Sequence, residues 1–555
     1  MVGPGESELK REAALASPSG RTATLLRLGL LLLCAGAVVL ALACTRSGAG
    51  IGGDGVAYVA GARNILQGLG YSWLGPEGDV RPTTIFGPLF PALLSGIGLA
   101  GVDPLEGARW LNAGLFGVNV ALCAAILYRA TREAWVPALG AVLVTFSPIV
   151  LSTHTLVVSE PTFLALLLGS MIALDLYLER RKRSWLALSA ALAGLSYLAR
   201  FVGLTVIAAG AATLWLWRKE SPRRRLTDLV TYLAVAAFFV VPWFVRNQMA
   251  GGSATARSLS YLPPDTTLLT VVAELVMYWF LPERIPLVWR GVTILVAVAF
   301  FPAALWRGAR LPRGGQEVDK ALEARGSTWT QILGIQILLY GAGVLAARLV
   351  LVPRISIDER ILLPLLLLVI LLMLVVAWTA WSALGGRSWM SRFAVALVFL
   401  LAASYVGRGG VRGLLLQQDG QGFASRMWQQ SPLMNALSIL PPETPIYTNE
   451  VEALYLLGGR SAYRLPTGCL PEDAFYTYVE GTECQTPEFE AWAQAMRRNL
   501  ETNAAVVALF NTYQEQPYYA PVAMELVAGL EILTTQGDGR LYVFDRSQWP
   551  ESPHW

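Results

Sequence analysis

Runs of roughly 20 apolar residues recur along this chain, separated by short polar connections, and about 20 residues of helix is the length that a bilayer's hydrocarbon core requires. The pattern predicts about eleven spans, at 24–44, 108–128, 135–152, 161–178, 184–200, 202–217, 228–245, 287–306, 330–352, 361–384 and 391–407. Beyond the last of these the pattern changes. In residues 408–555 the apolar positions fall at helical or alternating spacing, as in a soluble α/β domain. Phe489, Trp492, Ala493, Met496 and Leu500 share one helical face after the start signal Thr486-Pro487-Glu488. Leu530–Thr535 and Arg540–Phe544 flank Gln536-Gly537-Asp538-Gly539, a hairpin signal, and Pro445–Thr448 and Ala504–Phe510 read as further strands.

Composition supports the membrane reading. The chain is 54% hydrophobic and 15% charged, with a mean hydropathy of +0.49, whereas soluble proteins carry about 25% charged residues. The net charge of +4 is small, and nothing in its distribution points to nucleic acid. Where the charges lie matters more. Arg129 and Arg132, the segment 179–183, the segment 218–225 and the linker 307–329 are basic, and they fall on every second connection. Basic short loops stay in the cytoplasm. That puts the tail 1–23 inside and the C-terminal domain outside, in a bacterial plasma membrane. The first apolar run follows Lys10, Arg11, Arg21 and Arg27 without a small-residue cleavage pattern, so it reads as a retained helix and not as a signal peptide. Four segments then lie outside: 46–107, 153–160, 246–286 and 353–360.

The candidate chemistry sits in those segments. Asp54, in Gly53-Asp54-Gly55, follows the first span directly and either caps the next helix or meets a substrate at the membrane surface. Glu160 begins the fourth span in Ser159-Glu160-Pro161, again as a helix-start residue or as a functional acid at the edge of hydrocarbon. Arg200 and Arg360 lie at span ends, where a guanidinium snorkels to head groups or binds a phosphate bidentately. With only two histidines, His154 and His554, a histidine-based metal site is not expected, and His154 reads as a polar surface residue. Cys469 and Cys484 are the two cysteines of the outer domain and form a candidate disulfide, or else two free thiols, while Cys34, Cys44 and Cys123 lie in spans as small apolar residues.

Several short motifs together resemble the GT-C class of polytopic glycosyltransferases, most closely the branch of protein O-mannosyltransferases and the aminoarabinose transferase of lipid A. They are Gly53-Asp54-Gly55-Val56-Ala57-Tyr58, Gly87-Pro88-Leu89-Phe90-Pro91, Ser159-Glu160-Pro161-Thr162-Phe163, Leu198-Ala199-Arg200-Phe201-Val202-Gly203 and Asp358-Glu359-Arg360-Ile361-Leu362-Leu363-Pro364. The resemblance implies an inverting enzyme that uses a polyprenyl-phosphate sugar as substrate. No metal cluster is visible in the sequence, so no obligatory metal and no other cofactor are expected. Asp54 would be the general base toward an acceptor hydroxyl. Arg200 and Arg360 would neutralise the departing phosphate, and Tyr58, Glu160 and Asp358 would hold substrate or these arginines. Two positions depart from the pattern: many relatives carry a second acid where this chain has Gly55, and a tyrosine where it has Ile361. A transporter or flippase of a lipid-linked saccharide is the alternative, disfavoured because no internal repeat is evident and the charges sit at span ends. A membrane scaffold or sensor is a third reading, for which the long first outer segment has no evident purpose.

Overall fold

The computed structural model describes residues 20–74, 80–216, 221–251, 257–264, 268–293, 295, 317–352, 355–384, 389–465, 487–512 and 519–549. Among them, seven helices are long and apolar enough to cross a membrane: Arg27–Cys44, Pro104–Thr131, Glu160–Arg180, Pro222–Gly251, Arg325–Val350, Glu359–Thr379 and Val395–Asp419. Trp135–Phe146 and Pro148–His154 form an eighth if this pair, bent by 64°, is one span. Arg183–Ala199 and Phe201–Leu216 are shorter apolar segments of the same bundle. Each expected span coincides with a described helix except 287–306, most of which lies outside the described residues. The chain is an integral membrane protein.

Lipid is as apolar as leucine, so packing and interhelical polar bonds hold such helices together. Phe116, Phe163, Trp329 and Tyr340 are fully buried within the bundle. The helices Glu160–Arg180 and Arg183–Ala199 approach closely through small residues: Ser170 Oγ donates to Ser189 O and Ser189 Oγ to Ser170 O, both at 3.0 Å. At one end of the bundle, Arg129 donates to Asp175 Oδ2 (2.6 Å) and Glu179 Oε2 (2.7 Å), and Arg325 reaches Glu179 Oε1 at 2.5 Å. This network ties three helices together beside the basic connections.

The last helix corrects one expected boundary. It runs through Gly407-Arg408-Gly409-Gly410, which in the sequence looks like the end of a span, and stops only at Asp419, where Gly420 takes a left-handed φ of +72°. Gly409 is accommodated because the helix presses on the kink after Phe146, where a Cβ would lie 2.1 Å from the Phe146 carbonyl oxygen. The first outer segment likewise ends at 103, since the next helix starts at Pro104 with Asp103 accepting from Leu105 N at 2.9 Å. That segment holds the helix Gly53–Leu66, an antiparallel pair Ser72–Leu74 with Val80–Pro82, and the helix Leu89–Gly98.

The C-terminal domain is α/β as expected. Its five strands lie in the order Tyr463–Arg464, Ile446–Thr448, Val506–Phe510, Gly539–Val543, Glu531–Gln536, the first three parallel and the last two antiparallel. Val506–Phe510 is buried throughout, as a central strand must be. The face carrying Ile446, Ala508 and Phe510 belongs to the same apolar cluster as Ile51, Val56, Val59 and Phe90 of the first outer segment. The helix Pro487–Thr502 covers the other face with Met496 and Leu500. Cys469 and Cys484 lie outside the described residues.

Candidate active site

The approach to Asp54 is held on both sides by backbone. Gly50 N donates to Thr155 O (2.9 Å) and Val157 N to Gly50 O (2.7 Å), while on the opposite side Phe423 N donates to Ile51 O (2.8 Å). Asn112, 1% exposed in the helix Pro104–Thr131, fixes the 155–158 segment by donating to Leu156 O (2.7 Å) and Val158 O (3.1 Å). Residues 50–51 are thereby clamped between a loop of the bundle and the start of the C-terminal domain. The helix that follows begins at Gly53, with Gly52 as its N-cap residue and no side-chain cap bond. Asp54 therefore does not cap it. Its carboxylate sits in the first turn, where the helix favours negative charge, and Oδ2 lies 3.3 Å from Arg360 Nη1.

Arg360 is steered from the far end of the sequence. Asp358 accepts from Ile361 N (2.8 Å), starting the helix Glu359–Leu384, and its other oxygen accepts from Arg360 Nη2 (3.2 Å) and Nε (3.3 Å). The Tyr340 hydroxyl donates to Ile361 O at 2.9 Å beside Arg360.

The second acid–guanidinium pair lies alongside. Glu160 is 2% exposed, and its Oε1 is 2.7 Å from Arg200 Nη1. Ser159 precedes it without capping the helix, and its Oγ is instead shared with the Tyr58 hydroxyl at 3.1 Å. The turn between Ala199 and Leu204 is a single 3-10 turn, which leaves Arg200 extended (φ −152°, ψ 135°). Burial works against the charge of Arg200, but Glu160, Tyr58, Tyr340 and Asp54 more than offset it, and the guanidinium is held above its ordinary pKa. Glu160, Asp54 and Asp358 all act on Arg360 as well. Both arginines therefore answer to an overlapping set of carboxylates, and the five charged candidates Asp54, Glu160, Arg200, Asp358 and Arg360 form one cluster. Tyr58 is a buried strut within it, 4% exposed and packed on Phe86 and Phe90 with ring centroids 5.2 and 5.3 Å away. Burial pushes its phenol well above the usual range, against the opposing pull of Arg200.

The packing around Gly55 leaves no room for a side chain. A Cβ there would stand 2.7 Å from the Val157 carbonyl oxygen and 2.8 Å from Ile51 Cγ1. Overpacking of this kind costs about 1–3 kcal/mol. Gly55→Asp is accordingly expected to lower the thermal unfolding midpoint and to weaken the clamp on residues 50–51. An unchanged midpoint would show that the Val157 segment yields.

His154 is a correction. It is buried, not on the surface: Nδ1 donates to Val150 O at 2.7 Å, Nε2 accepts from Asn119 Nδ2 at 3.1 Å, and the ring stacks on Phe116. Sequence reasoning also missed Arg257, which acts electrostatically on Asp54 from the third outer segment. Arg246 and Asn247 were missed too. They pin the first outer segment by donating to Tyr71 O (3.0 Å) and Thr84 O (3.2 Å) respectively. Their only signal in the sequence is a polar pair at a span end. Among the described residues, no group of three or more His, Cys, Asp or Glu is placed to hold a metal ion.

The fold is similar to that of solved GT-C glycosyltransferases. The family model for dolichyl-phosphate-mannose-protein mannosyltransferases matches residues 97–250. ArnT from Cupriavidus metallidurans, in a structure bound to undecaprenyl phosphate, superposes with a TM-score of 0.55 at 14% identity, over 94% of this chain and 99% of that one. The Archaeoglobus fulgidus oligosaccharyltransferase, in complex with zinc and sulfate, gives 0.52 at 12% identity over 94% of this chain and 74% of that one. The mycobacterial arabinofuranosyltransferase AftD gives 0.52 at 16% identity, with this chain spanning 93% of its own length and 40% of AftD. No curated protein matches the chain by sequence.

Proposed function

We propose that the protein transfers a sugar, with inversion, from a polyprenyl-phosphate donor to a hydroxyl acceptor on the outer side of a bacterial plasma membrane. The observation that carries this reading is the cluster in which Asp54 meets Arg360 at 3.3 Å and Glu160 meets Arg200 at 2.7 Å. A phosphate arriving at Arg360 competes with Asp54 for the guanidinium. As the arginine turns to the phosphate, the carboxylate is released to take the acceptor's proton. Glycosyl transfer breaks the anomeric C–O bond to phosphate and forms the new C–O bond on the opposite face. The electron pair leaves on the phosphate, where the two arginines neutralise it. The family match and the undecaprenyl phosphate bound by ArnT support the choice of donor. Alternate basic connections at the Arg129–Arg325 end support an outward-facing site.

The reading includes no obligatory metal. The archaeal oligosaccharyltransferase was solved with zinc, but here Asp54 and Asp358 share Arg360 and Glu160 pairs with Arg200, so the acids of the cluster already face guanidiniums. Transfer by reconstituted protein is therefore expected to persist in excess EDTA. Loss that added divalent cation restores would overturn this part of the proposal. The proposal as a whole is tested by supplying polyprenyl-phosphate sugars to proteoliposomes and following sugar release from the lipid. Movement of intact donor across the bilayer without cleavage would replace it with transport.

A further inference from the structure

A second cationic group acts on Glu359, the residue before Arg360, and has no part in the proposed transfer. Arg408 and Arg412 lie one turn apart on the helix Trp389–Asp419, on the face that also carries Tyr405. Arg408 Nη2 donates to Tyr278 O at 2.7 Å, and its guanidinium lies over the Tyr278 ring (4.5 Å) and near that of Tyr405 (6.0 Å). Its Nη1 is buried with no hydrogen-bond partner. Tyr405 is 1% exposed, and its hydroxyl is also without a partner. Arg412 is tethered through Nε to Ser152 Oγ at 2.7 Å. Both guanidiniums act on Glu359, the residue before Arg360.

An unpartnered charged donor at the edge of hydrocarbon is costly, and residues that persist there mark ligand paths. The open valences here include an N–H of a cation and a phenol O–H that can donate, and an anion with several acceptor oxygens complements both. Arginine pairs are suited to phosphate oxygens, and a monoester dianion matches two guanidiniums better than a diester does. We propose that Tyr405, Arg408 and Arg412 form a second phosphate site that takes a polyprenyl phosphate monoester, the leaving lipid of the reaction proposed above. Its role as a station for that product rests on the proposed function. Its existence does not.

The test counts bound lipid. Protein in phosphatidylcholine nanodiscs is titrated with undecaprenyl phosphate, and the complexes are resolved by native mass spectrometry. Wild type is expected to hold two lipids, and the Arg408→Gln, Arg412→Gln double variant one. Tyr405→Phe, which removes only the hydroxyl from a buried ring, is expected to keep the fold and weaken the second equivalent about 10-fold. A wild type that holds one lipid, or a double variant that still holds two, overturns the proposal. Displacement of one lipid by millimolar inorganic phosphate would give the site to free phosphate and overturn the lipid assignment, whereas two lipids retained under that competition support it. The count is independent of turnover, so failure of this site and failure of the Asp54 assignment read out separately.

Discussion

Asp54→Asn is expected to lower sugar transfer by at least about 10²–10⁴-fold, the range that a positioned general base supplies, while the protein stays folded and still binds the lipid donor. Asparagine is nearly isosteric with aspartate, and the helix Gly53–Leu66 draws no cap bond from residue 54, so its start should survive. Arg360 loses one carboxylate but remains held by Asp358 through contacts at 3.2 and 3.3 Å. What disappears is the only function that needs a basic oxygen at this point, removal of the acceptor's proton. Steady-state transfer in proteoliposomes, read beside donor binding, separates these effects. Undiminished transfer would remove Asp54 from the mechanism, and the glycosyl-transfer account of the cluster would go with it.

Glu160→Ala is expected to be the most damaging single change to the fold. Glu160 is 2% exposed and 2.7 Å from Arg200. Arg200 keeps 23% of its side chain exposed, so removing Glu160 strands a partly solvated charge, at a cost below the about 3–5 kcal/mol of a fully buried pair. The variant should unfold at markedly lower temperature and lose transfer. The double variant Glu160→Gln, Arg200→Met removes both charges and keeps the volume, and it should regain most of the lost stability. It should nevertheless stay inactive, because the phosphate has lost a cation. Stability recovered together with activity would reduce the pair to a structural brace. A double variant as unstable as Glu160→Ala would mean that the pair's packing, not its charge balance, decides.

The spans were legible because a bilayer imposes a local rule: about 20 apolar residues in sequence meet 20 apolar residues in space. The same locality failed at 407–410, where three glycines look like a terminus and the helix continues because one of them lets it press on Phe146. The motifs singled out the charged residues that the fold gathers, but not their pairing. Nothing near position 54 names position 360 as its partner, and the choice between cap and functional acid at Asp54 depended on whether a guanidinium stood nearby. His154 was misread because its two partners, Val150 O and Asn119, lie on different elements. Arg257 went unseen because an arginine in a polar outer segment carries no periodicity to mark its direction.

The clamp on residues 50–51 also bears on how the protein is made. Half of it, Phe423, is translated hundreds of residues after the aspartate it helps to aim. During synthesis the first outer segment can settle against residues 155–157, but its other flank stays open until the last quarter of the chain emerges and docks. A nascent or truncated chain would carry every charged member of the cluster in the membrane, yet with the segment leading to Asp54 held on one flank only, so docking of the C-terminal domain is the last step in setting that residue.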